Sequence, residues 1–238
     1  MEAKAFCSEI DNTLAISFEA VSKIYNTLRN KIMNKMHLFW KNNPLGEEVN
    51  SNGYCSVEID ESSIIGNQNI VIWMFGIVER ISKNARIFCV LNDRTQQNLL
   101  NLVRNNVITE DNNLDDEMEE SESESIKTRV YSDCFASYNE QRFAEYGYIL
   151  KRVNHSIWFG YGSFHTNTIE GLWSQIKRLC DNFSGLSIFN LDKKFSSDKQ
   201  KKIYLDGWIC YALLLREFER KKLNWKKRVE LLCQYLSI

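Results

Sequence analysis

Along residues 14–42, "LAISFEAVSKIYNTLRNKIMNKMHLFWKN", apolar residues recur at intervals of three and four with Lys and Arg between them, a spacing that predicts one or two helices. From Cys55 the period shortens. "CSVEID", "IVIWMFGIVER" and "RIFCVL" are short runs rich in Val, Ile and aromatics, punctuated by Gly, Asn and Ser, and they predict three successive strands in an antiparallel meander. Leu99, Leu102 and Val103 in "TQQNLLNLVRNNV" return to helical spacing. "TRVYSD" then predicts a strand, "FASYNEQRFAEYG" a helix stopped by Gly147, and "YILKRV" another strand. Beyond Ser163 the pattern is helical: Thr166 to about Asn182, then "KQKKIYLDGWICYALLLREFERKK", then "NWKKRVELLCQYLSI", with "FSGLSIFNLDKKFSSD" as the connecting loop.

Three strands, helix, strand, helix, strand and helix is the element order of a ribonuclease-H-like domain, an α/β fold whose mixed sheet is flanked by helices. Helical N- and C-terminal segments are expected around it. The chain divides on this reading into a helical segment at 1–50, read as the remnant of a helix-turn-helix, a catalytic domain at 51–222, and a C-terminal helix at 223–238. An acidic, Ser-rich insert at 109–127, "TEDNNLDDEMEESESESIK", has almost nothing to bury and is expected to be disordered.

Composition changes this picture little. With 238 residues and 44% hydrophobic content the chain can fill one sizeable core. Its 30 basic and 31 acidic residues leave a net charge of −1, so a DNA-binding surface has to come from local clustering. No apolar run reaches the roughly 18 to 20 residues of a membrane span. The start "MEAKAFCSEIDN" lacks the basic region of a signal peptide, so an intracellular protein is expected, nuclear if eukaryotic, with no membrane partner. None of the seven cysteines forms a Cys-x-x-Cys pair, which predicts buried thiols rather than zinc ligands or disulfides.

Three acids fall at positions suited to chemistry. Asp60 ends the first strand, Asp133 follows the fourth, and Glu170 opens the late helix. Acids on rigid elements can converge, and three carboxylates suit two hard divalent cations, Mg²⁺ or Mn²⁺, which together support phosphoryl displacement. Each acid also has a plain structural role open to it. Asp60 and Asp133 can serve turns, and Asn167-Thr-Ile-Glu170 matches a helix capping box. Lys177, seven residues after Glu170, projects from nearly the same helix face, with Asn167 and Trp173 close to that stripe. Glu61 is a weaker candidate, because strand alternation turns it away from Asp60.

The blocks "VEIDES" (57–62), "FGIVER" (75–80), "DRT" (93–95), "VYSDCFASYN" (130–139), "VNHS" (153–156) and "HTNTIEGLWSQIKR" (165–178) occur in the order seen in Merlin-superfamily transposases and their bacterial insertion-sequence relatives. Over about residues 40–220 the chain resembles that family. The resemblance implies a DDE triad of Asp60, Asp133 and Glu170 holding two Mg²⁺ or Mn²⁺ ions, with 36 residues between Asp133 and Glu170 and Lys177 as a further basic residue. It also implies a homo-oligomer assembled on DNA, both element ends and target. His155, His165 and Asn167 share those blocks and are expected to order the loop or touch DNA; Lys151, Arg152 and Arg178 are further candidates for DNA contact. Two alternatives stand beside this reading: a derivative that binds DNA or chromatin proteins without chemistry, and a nuclease that hydrolyses without joining strands.

Overall fold

The computed structural model of the chain describes residues 17–51, 53–65, 71–109, 127–133, 138–153, 165–182, 191 and 195–236. His155 and nearly all of the acidic insert lie outside the described residues. The elements, in order, are α1 (Phe18–Asn42), β1 (Tyr54–Ile65), β2 (Val71–Glu79), β3 (Ala85–Leu91), α2 (Gln96–Arg104), β4 (Lys127–Ser132), α3 (Glu140–Ala144), β5 (Tyr148–Arg152), α4 (Asn167–Asn182), α5 (Asp198–Arg220) and α6 (Trp225–Leu236). This is a mixed α/β protein. Its chain forms two compact units, one of Trp40–Ser63 and Trp73–Trp173, the other of Met1–Phe39, Ile64–Ile72 and Ser174–Ile238.

The first unit is built on a five-stranded sheet in the order β3-β2-β1-β4-β5. β2 and β3 pair antiparallel, while β1 and β4, and β4 and β5, pair parallel, so the sheet is mixed. The parallel partner β4 arrives after α2, the kind of crossover a parallel pair needs. Strand alternation sends Cys55, Val57 and Ile59 of β1 to one face, where they join Phe75, Ile77, Val130 and Tyr148 from the neighbouring strands and Leu99, Val103 and Phe143 from α2 and α3 in the main core. Each such side chain, fully buried, stabilises the fold by about 1.5–3 kcal/mol. The opposite face of β1 carries Ser56, Glu58 and Asp60, and this polar stripe positions the site.

Local chemistry sets the short helices. Thr95 caps α2, its hydroxyl accepting from the Asn98 N–H at 3.4 Å, and Leu99, Leu100 and Val103 form the buried stripe. Thr95→Ala is expected to lower stability by about 1 kcal/mol, read as a lower urea midpoint at unchanged slope. Of the helix predicted across 135–147, residues 135–137 lie outside the described residues, and among the described ones it runs Glu140–Ala144. Asn139 starts it late by accepting from the Arg142 N–H, and Gly147, at φ +75°, supplies the left-handed turn that ends it.

The second unit is helical. The Arg29 guanidinium lies 3.8 Å above the Trp208 ring, joining α1 to α5, and the Lys35 ammonium donates to the Gln234 carbonyl of α6 at 3.1 Å. Arg216 Nε donates to Gln175 Oε1 at 2.9 Å, which ties α5 to the second half of α4. Cys55, Cys89 and Cys210 are buried free thiols, as their apolar surroundings predict, whereas Cys233 is exposed. No helix among the described residues is long and apolar enough to cross a membrane.

Candidate metal-binding active site

β1 and β4 run in constant register from Tyr54↔Lys127 to Glu58↔Tyr131. Continued by two residues, that register sets Asp133 beside Asp60, and side chains at matched positions of parallel neighbours leave the same face. Asp133 follows the last residue of β4, whose end is held by the Val153 N–H bonding to the Ser132 carbonyl at 2.8 Å.

Asp60 is half-buried, and its Oδ2 accepts from the indole N–H of Trp173 at 2.9 Å. Burial, and then the charge of Asp133, push the Asp60 carboxyl up to about 7; the Trp173 bond opposes them. Asp60 therefore resists ionising, a penalty that a cation beside its carboxylate would relieve.

Glu170 stands exposed in the first turn of α4, its Oε1 accepting from the Thr166 hydroxyl at 3.1 Å. The capping arrangement differs from the sequence expectation. Thr166, rather than Asn167, immediately precedes the helix, and the N–H of Ile169 is taken by Glu58 Oε2 at 2.9 Å, an acceptor from β1. Asn is the better N-cap of the two by local preference, and the shift by one residue goes with an acceptor on β1 that no local window contains.

Glu58 is fully buried. Its Oε1 lies 2.7 Å from Arg80 Nε and 3.5 Å from His165 Nδ1. The Arg80 guanidinium lies flat over Tyr131 at 3.5 Å and also donates to the His165 carbonyl. Sequence reading singled out neither Glu58 nor Arg80. The usable signal was spacing: two residues before Asp60 on a strand is the same face.

Glu61 does turn to the opposite face, where its side chain is almost wholly enclosed, accepts from the Tyr138 hydroxyl and faces Arg94 Nε at 3.6 Å. Burial raises its pKa, with Tyr138 and Arg94 opposing the rise. It thus ties β1 to Tyr138, a few residues beyond Asp133.

The expected DNA-contacting residues among those described lie on α4, on β5 and just before α4. Lys177 and Arg178 are exposed on α4, Arg178 pairing with Glu219 at 2.8 Å. Asn167 is exposed, and its N–H points at His165 Nδ1 at 3.4 Å, so that the His165 ring is turned inward toward Glu58. Lys151 is half-buried on β5, while exposed Arg152 donates to the Tyr138 carbonyl. The structure thus brings Asp60 and Asp133 together and sets Glu170 on the helix that reaches Asp60 through Trp173. Among the described residues no three His, Cys, Asp or Glu side chains gather closely enough to hold one metal ion.

No family model matches the chain, and no curated protein matches it. Among solved structures, the HTLV-2 integrase catalytic core domain, determined in a dimeric form in complex with magnesium, is similar over 64% of this chain and 83% of its own, at 11% identity and a TM-score of 0.35. A likeness that distant carries no argument about chemistry, which has to come from the side chains.

The donor set fits a hard divalent cation. Asp60 and Asp133 offer carboxylate oxygens close enough together that the Asp133 charge adds to burial in raising Asp60 to about 7, and a hard divalent cation would offset both.

Proposed function

We propose that the chain is a DDE-type DNA transposase of the Merlin superfamily with a ribonuclease-H-like catalytic domain, intracellular and, in a eukaryotic host, nuclear. The observation that carries this reading is the charge interaction between Asp60 and Asp133, with Asp60 raised to about 7 and bonded to Trp173 of the helix that bears Glu170. Asp60, Asp133 and Glu170 would hold Mg²⁺ or Mn²⁺, which when bound lowers the pKa of a water and stabilises developing charge on phosphate oxygens. In cleavage, the water oxygen bonds to phosphorus as the bond to the 3′ oxygen breaks, leaving a 3′-hydroxyl and a 5′-phosphate. In joining, that 3′-hydroxyl attacks a target phosphodiester and displaces another 3′ oxygen.

On this reading the chain's own residues orient the reacting groups. Trp173 fixes the rotamer of Asp60 through Oδ2, and Thr166 holds the Glu170 carboxylate until the site is loaded. Lys177, Arg178, Lys151 and Arg152, with Asn167, His165 and His155, are the proposed DNA contacts, the partner being element ends and target DNA bound by a homo-oligomer.

A second reading, a DNA- or chromatin-binding derivative without chemistry, is favoured because no three acids among the described residues gather closely enough to hold one metal ion. Mn²⁺-dependent nicking and strand joining on supercoiled plasmid separates the two. The transposase reading expects both reactions in the wild type, with Asp133→Asn and Glu170→Gln each lowering them more than about 100-fold. Equal activity in all three proteins, or none in any, would select the second.

A further inference from the structure

Glu58 has no solvent exposure, and a fully buried carboxylate has to be matched on every oxygen. Its partners come from two places: Arg80, just past the end of β2, bonds Oε1, and the first turn of α4 bonds Oε2 through the N–H of Ile169. A backbone N–H in a first turn lacks a partner within its own helix, and a strand carboxylate fills that place here.

The second attachment of α4 lies two residues further along the same strand face, where Asp60 accepts from Trp173. Two residues of strand span about 6.6 Å. Ile169 and Trp173 are four residues apart, a helical rise of about 6 Å. The repeats match, so Glu58 and Asp60 grip α4 at points one turn apart. A single attachment would leave the helix free to slide and rotate, whereas two at matched spacing fix both. Glu170, the residue after Ile169, is carried on the turn held between them.

We infer that Glu58 and Arg80 are positioning residues that set the register and rotation of α4 against β1, and through it the direction in which Glu170 presents its carboxylate. In its consequence for metal this rests on the transposase reading above. Arg80 serves by bridging: its guanidinium bonds Glu58 with one edge and the His165 carbonyl with another, while its plane is fixed on Tyr131. A lysine has the charge but not the fork. Buried ion pairs are frequently replaceable by apolar pairs without loss of stability, so a role confined to stability would not require one at this place.

The test uses the full chain with Glu58→Gln, Arg80→Lys and the double variant Glu58→Gln/Arg80→Met, which leaves no unpaired buried charge if a single variant fails to fold. Hydrogen exchange is followed at the amides of Thr168–Gly171, at the Trp173 indole N–H and at the β3 amides, and Mn²⁺ affinity is measured by calorimetry. Exchange at least about 10-fold faster in α4 and at the indole is expected, with β3 unchanged and Mn²⁺ affinity reduced about 10- to 100-fold. Wild-type exchange in α4, or protection lost evenly across the sheet, would overturn the inference. A wild type that binds no Mn²⁺ would instead remove the transposase reading, and the exchange data would then decide the clamp alone.

Discussion

Asp60→Asn is expected to stabilise the protein above neutral pH while abolishing the metal-dependent chemistry proposed above. The folded protein holds the Asp60 proton up to about 7, whereas an unperturbed aspartate carboxyl releases it at 3.8. Between these values the native state carries the extra proton, so Asp60 makes stability fall as pH rises through that window, and the full penalty remains above it. Asn carries no charge at any pH. Its carbonyl oxygen still accepts from the Trp173 indole.

The whole shift corresponds to at most about 4 kcal/mol. Water relaxing around a half-buried carboxylate reduces what is observed, and a gain of about 2 kcal/mol at pH 8 is expected, fading toward pH 4. Urea unfolding at several pH values measures it. A variant less stable than wild type at pH 8, or a gain independent of pH, would contradict the geometry of the pair. Over the same window the proton competes with metal, so wild-type Mn²⁺ affinity should climb by up to about tenfold per pH unit below 7 and level off above. The variant should bind weakly, with that pH dependence largely lost.

Gly76→Ala is the second large effect. A Cβ at this position would lie 2.7 Å from Cζ2 and 2.8 Å from Cη2 of Trp173, closer than packed carbons approach, and 3.4 Å from Ile169 Cδ1. Gly76 has no positive φ, so the requirement is for space alone. The indole has to move, at a cost of about 1–3 kcal/mol of overpacking. Moving it breaks the bond to Asp60, which removes a contact that lowers the Asp60 pKa, so Mn²⁺ affinity at pH 7 should fall together with stability. Gly76→Ala/Trp173→Phe separates the two effects: the smaller ring makes room for the methyl and restores stability, but without an indole N–H it leaves metal affinity low. Recovery of both would show that the Trp173–Asp60 bond is idle.

The element pattern was legible because period-two and helical spacing are local properties. "CSVEID", "IVIWMFGIVER" and "RIFCVL" each became a strand, and β1 runs five residues beyond the predicted end, to Ile65. α3 was overread, since the apolar and aromatic residues of 135–147 sit at helical spacing whether one turn or three are helical, and the Asn139 cap decides. The turn of Glu61 away from Asp60 followed from strand alternation. The cap of α4 was placed one residue late, because its acceptor is Glu58, far away in the chain.

What the sequence by itself determined is thus the strand and helix order and the polar stripe Glu58-x-Asp60, for each depends only on residues a few positions apart. Only the tertiary structure decided that β4 lies beside β1 in the register that sets Asp133 against Asp60, that Gly76 is there to admit an indole, and that Glu58 and Arg80 hold α4. Those outcomes depend on which surfaces meet across long stretches of chain, and the free energy that selects them, burial of a shared core and pairing of buried charge, is not a property of any local window.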